Sequence, residues 1–145
     1  MTDAEIDEFL SGRNSMNVAT HGPDGSIHLV AMWYGPFEGS WGFHTFEKSQ
    51  KVRNLQRDPR VTVLVETGEV YEELRGVEMV GRAELITDAD RLVGLVKSVA
   101  QRYYPIDDPA QLDAVAEASA RKRVGVLIHP DRIVSWDHSK LGGVY

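Results

Sequence analysis

The spacing of apolar positions changes period several times along the chain, and each change marks an element. Near the start, Ile6, Phe9 and Leu10 share a helical face, Thr2 and Glu5 have the spacing of a capping box, and Gly12 supplies a stop, which predicts a short amphipathic helix. From residue 16 the pattern becomes strand-like. "MNVAT" (16–20) runs into "HGPDGS", whose Pro-Asp-Gly is a turn signal, and "IHLVAMWYG" (27–35) is followed by a turn at "PFEGS" and by "WGFHTF" (41–46). Two hairpins joined by Gly-rich turns predict an antiparallel meander. Helical spacing returns in "SQKVRNLQR" (49–57), with Ser49 as N-cap, Val52 and Leu55 on one face and Asp58-Pro59 as the stop. "RVTVLVE" (60–66) is a β-branched run expected to form a central strand.

A turn at 67–69 precedes "VYEELRGVEMVGRAELI" (70–86), which reads as one long strand bent by bulges at Gly76 and Gly81. Thr87 is placed to cap a helix over 88–104. A second helix is expected over 107–123, with Pro109 in its first turn and basic residues in its last. "VGVLIHP" (124–130) and "RIVSWDH" (132–138) close the pattern as two strands, before a polar, Gly-rich tail. Six or seven mostly consecutive strands with a few helices predict a mainly β fold with helical insertions, a small antiparallel β-barrel.

Composition narrows the options. A chain of 145 residues, 42% hydrophobic and 26% charged, suits a single globular domain over residues 1–145. With no cysteine, disulfides, thiolate catalysis and zinc-thiolate or iron–sulfur sites are excluded. "MTDAEIDEFLSG" is acidic and unlike a signal peptide, and no apolar run approaches the ~18 residues of a membrane span, so no membrane association and a cytoplasmic location are expected. A net charge of -6 argues against nucleic acid as a partner. Yet residues 44–60 carry Lys48, Lys51, Arg53, Arg57 and Arg60 against only Glu47 and Asp58. A local basic patch in an acidic chain suits one small anion, hence a small-molecule ligand.

Of the familiar chemistries, few have support. His21, His28, His44, His129 and His138 contain no i, i+4 ligand pair, so no metal site is expected. There is no G-x-S-x-G, and the acidic pairs Glu72–Glu73 and Asp107–Asp108 fall at turns or helix starts. The basic stretch is laid out as strand, turn and helix N-terminus, with Thr45 at the strand end, Lys48 and Ser49 in the turn, and Lys51 and Asn54 in the first helical turns. Free backbone N–H groups, ammonium groups and hydroxyls there suit a phosphate, although the same residue types also suit a solvated helix face. Met32, Trp33 and Tyr34 precede a turn, where they can fill core and rim or edge a flat apolar ring.

Taken together, "DGSIHLVAMWYG", "WGFHTFEKSQKVRNLQRDPRVTVLVE", "GVEMVGRAELI" and the ending "RIVSWDHSKLGGVY" resemble the split β-barrel flavin and deazaflavin oxidoreductases, the group that includes pyridoxamine 5′-phosphate oxidase. The resemblance runs from about Phe9 to Tyr145 and is most specific in the block T-x-x-K-S-x-K-x-x-N-L-x-x-D-P-R. Within the group, and from the "SWDHSKLGG" ending, the chain looks most like the branch that uses the 8-hydroxy-5-deazaflavin coenzyme F-420, found largely in actinobacteria.

The resemblance implies a split antiparallel β-barrel of the FMN-binding type and a homodimer with each cofactor between subunits. F-420 is the implied cofactor, with FMN as the alternative. Thr45, Lys48, Ser49, Lys51 and Asn54 would hold its phosphate, Met32, Trp33 and Tyr34 would edge its ring, and His138 and Lys140 would reach it from the partner chain. Arg53, Arg57 and Arg60 would face the oligoglutamate tail of F-420 or remain surface charge. The implied reaction is hydride transfer from reduced F-420 to a small electron-poor acceptor of the enone, quinone or tetrapyrrole class. An FMN-dependent oxidase or reductase, and a non-catalytic flavin, deazaflavin or haem binder, are the other readings. No residue is assigned as catalytic; Tyr34, His44 and His138 are candidates for donating a proton. With only Lys140 basic in "HSKLGGVY", the chain departs from the basic C-terminal phosphate grip of the pyridoxamine phosphate oxidases.

Overall fold

The computed structural model describes residues 1–142. Helix α1 (Asp3–Leu10) begins at the predicted capping box: the Thr2 hydroxyl accepts from the Glu5 N–H at 3.3 Å, and the Glu5 carboxylate accepts from the Thr2 N–H at 2.6 Å. The helix drives Phe9 and Leu10 into the core. Strands β1 (Met16–His21) and β2 (Ile27–Met32) form the first hairpin, and β3 (Gly35–Phe37) and β4 (Ser40–Phe46) the second.

The run 27–35 is therefore two strands rather than one. Trp33 and Tyr34 leave the ladder because the Tyr34 ring turns into the core, where its hydroxyl donates to the Leu10 carbonyl at 2.8 Å. The second hairpin turns at Glu38 and Gly39, both at positive φ, so "PF" belongs to a strand and the turn is tighter than the pattern indicated.

Helix α2 (Gln50–Arg57) follows the extended N-cap Ser49, and strand β5 (Arg60–Thr67) the Asp-Pro stop. Strand β6 (Arg75–Ile86) starts later than predicted, after a 3₁₀ turn at Tyr71–Glu73. One of its two glycines marks a bulge: the register shifts between Val80 and Gly81, and a Cβ at Gly81 would lie 2.1 Å from the His129 carbonyl oxygen. Gly76 stays in register opposite Trp136, where a Cβ would sit 2.1 Å from the indole Cζ2; close packing, and not a bulge, requires glycine there.

Helix α3 (Ala89–Tyr103) is capped by Asp88 instead of Thr87, its carboxylate accepting from the Arg91 N–H at 2.9 Å. Helix α4 (Pro109–Ala120) opens with Pro109 behind the N-cap Asp108 and ends before the basic residues, with Lys122 at φ 57. The two strands predicted at the end are one, β7 (Arg123–Asp137), continuous past the bulge.

All strand pairs are antiparallel, in the order β2-β1-β5-β6-β7-β4-β3, so the barrel is split between edge strands β2 and β3. This is the mainly β split barrel with helical insertions that was expected. Its inner face packs Val18, Phe43, Val63, Val77, Met79 and Ile128 around Phe9, Leu10 and Leu55. A second core lies outside it, where α3 covers β3, β4 and part of β7 through Leu92, Leu95, Val99 and Leu127, and α4 adds Ala116. The outer side of β2 is bare: Ile27 is 57% and Leu29 66% exposed. Among the described residues no helix is long and apolar enough to cross a membrane.

Candidate functional site

Strand alternation puts Phe43 and Thr45 on the inner face of β4 and His44 on its outer face. α2 starts three residues beyond β4, so its first N–H groups, at Gln50, Lys51 and Val52, lack intrahelical partners and open beside Thr45. Lys51 leans back over this opening. Its Nζ donates to Thr45 Oγ1 at 3.0 Å, with the lysine 8% and the threonine 4% exposed. Burial, with the nearby Arg123 charge, holds the Lys51 pKa below the usual lysine range. No carboxylate among the described residues pairs with it.

Ser49 is the N-cap by backbone geometry, but its hydroxyl makes no cap bond and is buried without a partner. Two imidazole atoms are orphaned in the same way: His28 Nδ1, on the inner face of β2, and His44 Nδ1. Buried polar groups are ordinarily satisfied, so the partnerless Ser49 hydroxyl at the helix start is what a bound polar ligand would account for. Lys48 is exposed in the turn.

Other predicted site residues do different work. Asn54 is fully buried and its amide is used internally: Nδ2 donates to Thr20 Oγ1 at 3.0 Å, and Oδ1 accepts from Gln50 Nε2 at 2.8 Å and from Arg57 at 3.3 Å. It fastens α2 to β1 instead of reaching a ligand. Tyr34 cannot edge a ring or give up a proton at neutral pH. It is fully buried under the Arg102 guanidinium, 4.7 Å from its ring centre, and burial raises its pKa to about 12.

Arg57 is bound to the His21 carbonyl, and Arg60 to the Asp58 carboxylate at 2.7 Å, which leaves Arg53 as the exposed cation of the three without such a tie. His138 and Lys140 sit at the far end of β7 from Val124, the register partner of Thr45. There His138 Nδ1 meets the Tyr71 carbonyl at 2.9 Å and Lys140 pairs with Glu5 at 2.6 Å. Within one chain they do not join the junction.

Met32 and Trp33 do meet near it. They line a pocket of about 350 Å³ with Ala31, His44, Val99, Tyr104 and Arg123. Trp33 is 48% exposed, stacked in parallel on Tyr103 at 4.7 Å and edge-on to Tyr104 at 5.6 Å. Arg123 and Tyr104 are functional candidates that the sequence did not offer. Arg123 comes to the site only because β7 pairs with β4, setting it opposite Phe46.

His44 is held at a pKa of about 4, by burial first and by Arg123 second, so the imidazole is neutral at physiological pH and cannot serve as an imidazolium donor. The sign follows: between pH 6.5 and about 4 the unfolded chain takes up a proton at His44 that the folded chain refuses, so stability falls as pH drops through this window. The ion-paired carboxylates Glu38 and Glu84, lowered by Arg91, lose their contribution at more acid pH. The Tm of His44→Gln is expected to fall less than that of the wild type from pH 6.5 to 4.5. Parallel Tm curves would show that His44 titrates normally.

The split barrel carries a cationic, hydroxyl-lined helix start at α2 and an aromatic pocket at Trp33, and the comparisons give the family of this fold. The chain belongs to the pyridoxamine 5′-phosphate oxidase family, which it matches over residues 2–137. It is similar to the conserved hypothetical protein Rv2991 of Mycobacterium tuberculosis, at 41% identity over 100% of this chain and 90% of that one, with a TM-score of 0.93. An F420 reductase shares the fold at 24% identity and a TM-score of 0.67, over 88% of this chain and 94% of that one. So does HutZ, a haem storage protein from Vibrio cholerae, at 14% identity and a TM-score of 0.70, over 91% and 92%. No curated protein matches the chain significantly.

Proposed function

We propose that this chain is an oxidoreductase of the F-420-dependent type, in which the bound reduced deazaflavin supplies hydride to a small electron-poor acceptor such as an enone, quinone or tetrapyrrole. The observation that carries the reading is the junction at α2: a buried, unpaired ammonium on Lys51 and a partnerless Ser49 hydroxyl at a helix start, with the Met32–Trp33 pocket on the neighbouring strand end. These residues fit the phosphate of a flavin-type cofactor. Lys51, Ser49 and the α2 N–H groups would hold it, Lys48 would add charge from solvent, and Thr45 would aim Lys51. Met32 and Trp33 would edge the ring.

The same cradle fits FMN, since it recognises only the phosphate the two share. F-420 is preferred because Lys48 and Arg53 continue the positive charge outward, toward an acidic tail, and because an F420 reductase shares the fold. Neither Tyr34 nor His44 is an acid at neutral pH, so water or a partner residue such as His138 is the better proton source. His138 and Lys140 enter the site only in a homodimer whose chains exchange their C-terminal ends.

Titrating the purified chain separately with F-420 and FMN tests the reading. Micromolar or tighter F-420 binding, about -8 kcal/mol or better, with weaker FMN binding is expected. A preference for FMN would move the chain to flavin chemistry, and failure to bind either would sink the cofactor assignment.

A further inference from the structure

Two residues other than glycine lie at positive φ among the described residues, Glu38 and Lys122. Glu38 is accounted for locally, since with Gly39 it makes the tight turn of the β3–β4 hairpin. Lys122, at φ 57, stands instead between α4 and β7. Arg121, extended at φ -60 and ψ 130, and Lys122 turn the chain in the manner of a type II turn, whose second central position ordinarily carries Gly or Asn. A lysine there is strained backbone, and such strain persists only where the surrounding structure fixes it.

What fixes it lies at the phosphate cradle. The pairing of β4 with β7 ends at Phe46 and Arg123. One residue beyond each strand end, the Glu47 N–H donates to the Lys122 carbonyl at 3.0 Å. Glu47, Lys48 and Ser49 form the turn into α2, which is closed internally by the Ser49 N–H donating to the Phe46 carbonyl at 3.0 Å. Among the described residues, the bond to Lys122 is the one hydrogen bond that fastens these three residues to a distant part of the chain. The Lys122 side chain is exposed, so the tie is made by backbone alone.

We propose that Lys122 is a positioning residue of the cradle: through its carbonyl, the start of β7 holds the Glu47–Ser49 turn in the shape that sets Lys48, the Ser49 hydroxyl and the first α2 N–H groups around one anion. The proposal rests on the phosphate reading of the cradle and adds to it a residue that touches no ligand. The gain is preorganisation. A turn tied to a second strand has less freedom to lose when an anion docks than one hinged on β4 alone. A residue that rejects positive φ must reroute the Arg121–Lys122 turn and carry the carbonyl away from Glu47.

Ligand pairs that differ in the phosphate-bearing arm isolate the effect: FMN against riboflavin, and F-420 against 8-hydroxy-5-deazariboflavin, titrated into the purified chain. Lys122→Val, β-branched and hostile to positive φ, is expected to lose about 10-fold in affinity for the phosphorylated member and nothing for the other, whose binding also shows the variant to be folded. Lys122→Gly and Lys122→Asn drop the charge but accept the left-handed backbone, and should keep the wild-type ratio. Hydrogen exchange of the ligand-free chain reads the tie directly: the Glu47 amide should be protected in the wild type and in Lys122→Gly, and exchange at least about 10-fold faster in Lys122→Val. The wild-type exchange result stands whether or not Lys122→Val folds. Undiminished FMN and F-420 affinity in Lys122→Val, equal losses for both members of a pair, an equal loss in Lys122→Gly, or an unprotected Glu47 amide in the wild type would each overturn the proposal. A wild type that binds the phosphorylated ring no better than the bare one overturns the cradle reading itself, and differs from those outcomes in leaving the exchange pattern intact.

Discussion

Lys51→Met is expected to weaken F-420 or FMN binding by about 10- to 100-fold, the worth of one charge-assisted contact, with folding stability changed by only about 1 kcal/mol. The asymmetry comes from where the charge sits. Lys51 is 8% exposed, and of its three donors one is used, toward Thr45 at 3.0 Å. Burial already disfavours its ammonium form, so in the free protein the charge contributes little to stability and awaits an anion. Methionine keeps the apolar stem and drops the charge, and the Thr45 hydroxyl oxygen loses one neutral acceptor role.

Fluorescence quenching on titration gives the affinity and urea unfolding the stability. Lys48→Ala, at an exposed position, should cost less, on the order of a few-fold. The lowered pKa adds a pH signature: as pH rises, wild-type affinity should fall before an ordinary lysine would lose its proton. Unchanged affinity in Lys51→Met would return the cradle to plain surface.

Leu29→Asp is expected to convert a dimer into a monomer of about 16.2 kDa on sizing, and to reduce cofactor binding with it. Leu29 lies at the outer end of a registered row that continues through Ala19, Thr62 and Val80, flanked by Ile27 and Ala31 on the same strand face. This surface holds two shallow troughs of about 480 and 320 Å³, and no helix hides Leu29, 66% exposed. In a two-fold contact every residue is used twice, so one substitution buries two carboxylates near each other. A wild-type chain that already runs as a monomer at micromolar concentration would remove the two-chain site altogether.

Much of the barrel was legible because its signals are local. The Thr2–Glu5 box, Ser49 as N-cap, Pro109 at a helix start and the Gly81 bulge all depend on a few adjacent residues. The misreadings share a cause in long-range packing. "AMWYG" looks like strand until Leu10, far earlier in the chain, captures the Tyr34 hydroxyl. Gly76 looks like a bulge until Trp136 is found lying over it. Arg123 looked like a helix-ending charge because nothing near it in sequence tells that β7 will pair with β4.

The candidate site divided along the same line. The position of Lys48, Ser49 and Lys51 between β4 and the first turn of α2 was readable from a strand–turn–helix pattern. Asn54, by contrast, has the right type and spacing yet is consumed by Thr20 across the barrel.

The split in the barrel has a further consequence, for the protein's life before assembly. Its two free edges are unequally guarded. β3 is three residues long and carries Pro36, so it offers a stray chain little to extend. β2 offers six residues, "IHLVAM", with no proline, lysine or acid among them. A newly made chain thus exposes one adhesive rim and one blunt one. How quickly β2 is shielded, by a second copy or otherwise, sets how much of the chain reaches the folded pool and how much is lost to aggregation.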